Sequence, residues 1–218
     1  MAATPSPSRR SSHARRAILV ATAELVSERG YRRLSIEAIA ARAGVGKQTI
    51  YRWWPSKGAV VFDAFLMLQE QEGGTELPET DDLDADLALL LRRTVRGLVD
   101  PRFDEPYRAL TTEVQHDEAL ARDLLDRLLG PLLDATRQRI IRGQTSGQID
   151  AAVDPTIVVE LLFGPLFHRW LLRTAPLDDA YADSVAAHVA RTIAPGARRH
   201  ASRQTGISRI ARPGGAED

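Results

Sequence analysis

The sequence predicts an all-α protein: an N-terminal three-helix unit of helix-turn-helix type, followed by a larger C-terminal helical body. Three observations predict it. Apolar residues recur at i, i+3, i+4 and i+7 along most of the 218 residues, and no alternating strand pattern competes with them. Gly, Pro, Ser and Asp stand at the ends of these runs, where helices start and stop. Between Gly44 and Pro55 lies a very short helical stretch whose two faces differ sharply. Val45, Ile50 and Trp54 share an apolar side, while Lys47, Gln48, Tyr51 and Arg52 share the other.

In order along the chain, residues 1–13 form a Pro-, Ser- and Arg-rich stretch with nothing to bury and are expected to be a disordered tail without an apolar secretory core. The helix-turn-helix unit is expected over 14–60. Ile18, Ala21, Thr22, Leu25 and Val26 predict a first helix from Ala14 to Arg29, ended by Gly30. Ser35 reads as the N-cap of a second helix carrying Ile36, Ile39, Ala40 and Ala43. Gly44 closes it, because a left-handed C-cap favours a residue without Cβ. Gly46 then caps the short third helix, which Pro55 stops after Trp54. An amide and a cation suit base edges, and a hydroxyl and a guanidinium suit phosphates, so this polar face suits a helix lying in a DNA groove.

The body is expected over 61–195. Ser56 caps a fourth helix from Lys57 into the low 70s, with Val60, Val61, Ala64, Phe65 and Leu68 on one side and Gly73–Gly74 at its end. The acidic stretch 75–86 reads as a solvated loop. Leu87–Leu98 is a fifth helix broken by Asp100–Pro101, and Glu105–His116 a sixth. A long helical pattern runs from Glu118 to Arg142, bent at Gly130–Pro131. Asp154 caps, and Pro155 opens, a helix to about Arg173 that is apolar nearly all round, so it needs cover on every side. The last helix runs from Asp178 to Ala194. The tail, 196–218, is expected to be disordered.

Net charge is zero, yet residues 1–60 hold eleven cations against three anions, while 61–197 hold thirteen arginines against 24 acids. A basic front on an acidic body implies that only the front meets a polyanion. Cysteine is absent, which excludes disulfides and thiolate chemistry and fits a cytoplasmic setting. The longest apolar run, 157–167, is too short to span a bilayer, so no membrane partner is expected. Gly44-Val45-Gly46-Lys47 is not a phosphate loop: Gln48 follows the lysine and Ala41 stands where the first glycine belongs. Asp82, Asp84 and Asp86 echo a calcium loop, but Leu87 and Arg93 occupy its glycine and final acid positions. The five histidines show no ligand spacing. No catalytic residues, metal or cofactor are expected, and the chain is not read as an enzyme.

The N-terminal stretch resembles the TetR/AcrR family of bacterial transcriptional regulators. The residues that carry the resemblance are Ala17–Leu25, Gly30-Tyr31, Leu34-Ser35-Ile36, Ile39-Ala40, Ala43-Gly44-Val45, Thr49-Ile50-Tyr51, Trp53-Trp54 and Lys57. The body is similar only loosely, chiefly around Gly164-Pro165-Leu166-Phe167-His168-Arg169. The resemblance implies that Ser35 donates to a phosphate, that Lys47, Gln48 and Thr49 lie at base edges, and that Tyr51 and Trp53 contact the backbone. Lys57 would place its ammonium near a phosphate, and Arg52 is a further phosphate candidate. Gly46 departs from the Ser or Thr common at that cap, and Trp53-Trp54 from the usual His or Tyr followed by Phe.

The resulting expectation is a repressor that binds a pseudo-palindromic double-stranded DNA operator as a homodimer and is released by a small apolar or amphipathic ligand. The last two helices would form the dimer seam, with Leu166 and Trp170 in it. Candidate ligand-pocket walls are Phe103, Tyr107, Leu110, Leu128, Phe163, Phe167 and Trp170. The alternative is a DNA-binding accessory or architectural protein with no ligand and a filled body.

Overall fold

A computed structural model describes residues 7–71 and 80–196; among them there are helices and turns and no strand. The helices are α1 (Pro7–Arg29), α2 (Ile36–Ala43), α3 (Lys47–Tyr51), α4 (Lys57–Gln71) and α5 (Leu83–Val99), then α6 (Pro101–Glu113), α7 (Glu118–Leu124), α8 (Gly130–Thr145), α9 (Pro155–Leu172) and α10 (Asp179–Ile193). A 3-10 turn (Tyr31–Arg33) follows α1, and a π-helical turn (Leu125–Leu129) joins α7 to α8. The expected helix end at Gly73–Gly74, much of the acidic loop, and the outer tails lie outside the described residues.

Side-chain caps explain most of the starts. Ser35 accepts from the Ala38 amide, and Ser56 from that of Ala59. Asp82, Asp100, Asp117, Asp154 and Asp178 cap α5, α6, α7, α9 and α10. Each such cap stabilises by about 0.5–2 kcal/mol. Five acids of the negatively charged body are thus fixed at helix N-termini, where the helix dipole favours them.

Three expectations are corrected here. Residues 7–13, assigned to a loose tail, continue α1 backwards to Pro7, whose fixed φ suits a first turn. Asp100–Pro101 does not merely break a helix; it is the N-cap and first residue of α6. The stretch to residue 86 is not a solvated loop throughout, because Asp82 starts α5 five residues before Leu87. Asp86 is then buried, ion-paired with Arg139 of α8 at 2.9 Å and bonded by the Thr80 amide and hydroxyl.

α1 packs on α2 and α4, and α2 on α3, around Ile18, Leu25, Ile39, Ile50 and Trp54. α4 continues into the body and packs on α6 and α7; α5 lies along α10, and α8 along α9. An aromatic chain crosses the body. Phe65 of α4 meets Phe103 and Tyr107 of α6, with centroids 5.6 and 5.4 Å away, and Tyr107 stacks on Trp170 of α9 at 5.1 Å. Such pairs add about 0.5–1.5 kcal/mol each beyond area burial. A rigid run of rings therefore connects the helix that leaves the N-terminal unit to the apolar helix near the C-terminus.

The Leu166 and Trp170 seam expectation also fails. Both are buried within their own subunit, and the Trp170 indole donates to Asp104 Oδ1 at 2.6 Å. The apolar residues of α9 that do face outward are Ile157, Leu161, Leu171 and Leu172.

Candidate nucleic-acid interface

The short helix α3 owes its position to two glycines and two core side chains. Gly44 takes the left-handed conformation (φ 67°, ψ 33°) and lets the Val45 amide return to the Ala40 carbonyl at 3.0 Å, turning the chain sharply after α2. Gly46 then starts α3 in an extended conformation without a side-chain cap. Ile50 and Trp54 anchor the helix from below and are almost wholly buried. With that face fixed, 3.6-residue periodicity turns Lys47, Gln48 and Tyr51 outward. All three are exposed, Tyr51 at 53%.

The other candidate contacts are arranged around it. Ser35 is half-buried at the start of α2, and Glu37 in the first turn of α2 holds Lys47 at 3.0 Å, so the starts of α2 and α3 lie together. Both partners are exposed. The bond to Glu37 raises the Lys47 pKa. Thr49 is half-buried. Arg52 is exposed and stacks on the Trp53 ring, its guanidinium carbon 4.8 Å from the centroid; Trp53 meets Trp54 edge to face. Lys57 at the start of α4 is tied back: its ammonium sits 4.0 Å over the Tyr31 ring and donates to the Tyr31 carbonyl at 3.3 Å. Lys57 thus fixes the 3-10 turn to α4.

Not every cation of the basic front is available. Arg42 is forked onto Glu24 and Glu28 of α1, and Arg15 is drawn to Asp63 at 2.6 Å.

Asp63 was missed in the sequence. It interrupts the apolar run Val60-Val61-Phe62 and is 8% exposed, yet it pairs with two arginines. Oδ2 accepts from the Trp54 indole at 2.9 Å and from Arg15, and Oδ1 pairs with Arg127 of the π-helical turn at 2.8 Å. Burial alone would raise its pKa; the indole and the two guanidiniums overcome that and hold it below the usual carboxylate value. The signal for it in the sequence was an aspartate where α4 is otherwise apolar.

The body contains a cavity of about 130 Å³. Five of the seven expected pocket residues line it: Phe103, Tyr107, Leu128, Phe163 and Phe167. Leu110 and Trp170 do not; both are packed into the core behind it. Phe65 and Gln69 of α4 form one wall, and Leu128 and Leu129 of the π-helical turn another.

A three-helix unit with a short, inwardly anchored third helix presenting Lys, Gln and Tyr outward defines a helix-turn-helix DNA-binding regulator. Residues 18–64 match the family of bacterial regulatory proteins named tetR, and residues 77–189 match the tetracycline-repressor-like C-terminal domain. The chain belongs to the TetR family of transcriptional regulators, which are DNA-binding proteins and not enzymes. It is 30% identical over 186 residues to the DNA-binding transcriptional repressor TetR of Mycobacteroides abscessus, covering 84% of this chain and 95% of that one. It is 30% identical over 166 residues to the HTH-type regulator YdeS of Bacillus subtilis, covering 76% and 82%. Among solved structures, the TetR family regulator SCO0332 superimposes with a TM-score of 0.67 at 29% identity, over 84% of this chain and 99% of that one. No helix among the described residues is long and apolar enough to cross a membrane.

Proposed function

We propose that the protein is a ligand-responsive repressor that binds a pseudo-palindromic operator as a homodimer and releases it when a small apolar or amphipathic molecule enters the body. The observation that carries this reading is the shared wall. Phe65 and Gln69 lie on α4, whose first turn is bonded to the 3-10 turn of the N-terminal unit through Lys57. A molecule that prefers one tilt of α4 would alter the separation of two readers in a dimer. A hundredfold change in operator affinity needs about 2.7 kcal/mol of differential binding, within the range known for coupled sites.

The reader face would comprise Lys47, Gln48 and Thr49 at base edges, with Ser35, Tyr51, Arg52, Trp53 and Lys57 toward phosphates. The repressor named among the relatives supports the sign of regulation. The dimer would form through α9 and α10, where Ile157, Leu161 and Leu171 make an exposed apolar stripe at helical spacing. A cavity of about 130 Å³ is close to the engineered ~150 Å³ cavity that binds benzene, so as shaped it admits one ring or a short acyl chain. That space favours a ligand-responsive regulator over an accessory protein with a filled body.

The test is a thermal-shift screen with small aromatic and acyl probes, followed by titration of selected operator DNA with and without each hit. Stabilising compounds that weaken DNA binding support the reading; compounds that stabilise the protein and strengthen DNA binding would reverse its sign.

A further inference from the structure

We propose that Arg127, set in place by a π-helical turn that requires Gly130, is a positioning residue for the DNA reader and acts through Asp63 on Trp54. The path is short and continuous. Arg127 belongs to the body and pairs with Asp63 Oδ1; Asp63 Oδ2 accepts from the indole of Trp54, four residues after Ile50 and directly behind the reading helix. Arg127 also lies over the Phe62 ring, 5.1 Å from its centroid. Arg15 holds the other oxygen of Asp63 at 2.6 Å, so losing Arg127 leaves the buried carboxylate with one guanidinium in place of two and frees Oδ1, and a buried charge is costly to leave under-compensated.

The turn that presents Arg127 is unusual. Residues 125–129 form a single π-helical turn, closed by the Gly130 amide donating to the Leu125 carbonyl. Such turns insert one extra residue and rotate the side chains before them relative to those after. A Cβ at position 130 would lie 2.7 Å from the Leu125 carbonyl oxygen, a backbone atom that cannot move aside alone. Glycine is therefore what permits the turn. Gly130→Ala would push the segment toward α-helical register and carry Arg127 off Asp63.

The turn also touches the cavity, because Leu128 and Leu129 line it while Arg127 faces Asp63. A cavity occupant that displaces these leucines would loosen the reader along this path. That extension rests on the ligand-responsive reading above; the role of Arg127 in positioning the reader does not.

The experiment needs no ligand. A duplex recovered by selection from random-sequence DNA is titrated with the full chain and with R127Q, R127K, G130A, the R127Q/G130A double variant and R122Q, which removes an equal charge from an exposed position on α7. Circular dichroism checks folding, and the three tryptophan indole N–H resonances are followed by NMR. The expected result is a loss of at least about five-fold in DNA affinity for R127Q and for G130A, the low end of typical coupling. R127K recovers most of it, the double variant is no weaker than the worse single one, and R122Q retains wild-type affinity. The Trp54 indole resonance shifts in R127Q while that of Trp170 stays. Equal losses in R127Q and R122Q, an unmoved Trp54 resonance, or additive losses in the double variant would each overturn the proposal. Failure of every probe in the thermal-shift screen above, with the Arg127 results intact, would instead count against the cavity reading alone.

Discussion

The backbone amide of Tyr31 donates to Glu105 Oε1 at 3.0 Å, so a carboxylate from α6 of the body closes the turn that links α1 and α2 of the DNA-binding unit. Gly30, immediately before it, holds φ 76° and ψ 160°. This region is nearly closed to residues with a side chain, and a Cβ there would also collide with the Glu105 carboxylate. Gly30→Ala should therefore lower stability by about 1–3 kcal/mol. Thermal unfolding checks this, and an unchanged Tm would show that the turn relaxes freely.

The buried pair Asp86–Arg139 joins α5 to α8. Arg139→Met leaves the carboxylate without its counter-charge and should destabilise the fold by about 3–5 kcal/mol, whereas the double change Asp86→Leu, Arg139→Met should cost far less. Urea unfolding of the three proteins separates these outcomes. Equal losses in the single and double variants would mean that packing, not charge, dominates.

Acid sensitivity follows from the same carboxylates. Burial would raise the pKa of Asp86, but the Thr80 amide and hydroxyl and the Arg139 guanidinium bring it below the ordinary value; Asp63 behaves likewise. A carboxyl group depressed on folding stabilises the protein above its unfolded pKa of about 3.9, and that stability is lost as pH falls through the folded value. The Tm should hold at neutral pH and drop steeply below about pH 4. Asp86→Asn should flatten the drop, and a slope unaffected by this change would remove Asp86 as its source.

On α9 the outward and inward residues should separate assembly from folding. Leu161→Glu places a charge on the exposed stripe and should yield folded monomers with weakened DNA binding. Leu166→Glu places it in the core and should unfold the chain. Light scattering with circular dichroism distinguishes the two; a folded dimer of Leu161→Glu would move the seam elsewhere.

On the reader, Gln48→Ala should relax base preference at one position of each half-site by about 1–3 kcal/mol, while Tyr51→Phe should weaken all sequences alike. Competition binding among single-base variants of the operator measures both.

Much of this was legible in the residues themselves. Gly44, Ser35, Asp154 and the Ile50–Trp54 spacing are local signals, and local signals fix caps, turns and the exposed face of α3. What escaped depends on residues far apart in sequence. Asp63 pairs with arginines 48 and 64 positions away and Asp86 with one 53 positions away, and none of these partners is marked by neighbouring residues. Leu166 and Trp170 were misassigned for a different reason. A helix apolar on every side shows that two surfaces cover it, not which side chains face which surface. The π-helical turn was legible only as a break at Gly130–Pro131, because the apolar spacing of this stretch does not show that the Gly130 amide reaches back five residues to the Leu125 carbonyl and not four.

The most direct test of the central claim is selection of bound fragments from random double-stranded DNA by the wild-type protein. The account predicts an enriched inverted repeat with half-site centres about one helical turn apart, roughly 34 Å, lost when Gln48 and Tyr51 are both replaced by alanine. Enrichment of no sequence, or of an asymmetric site unaffected by that double replacement, would contradict it.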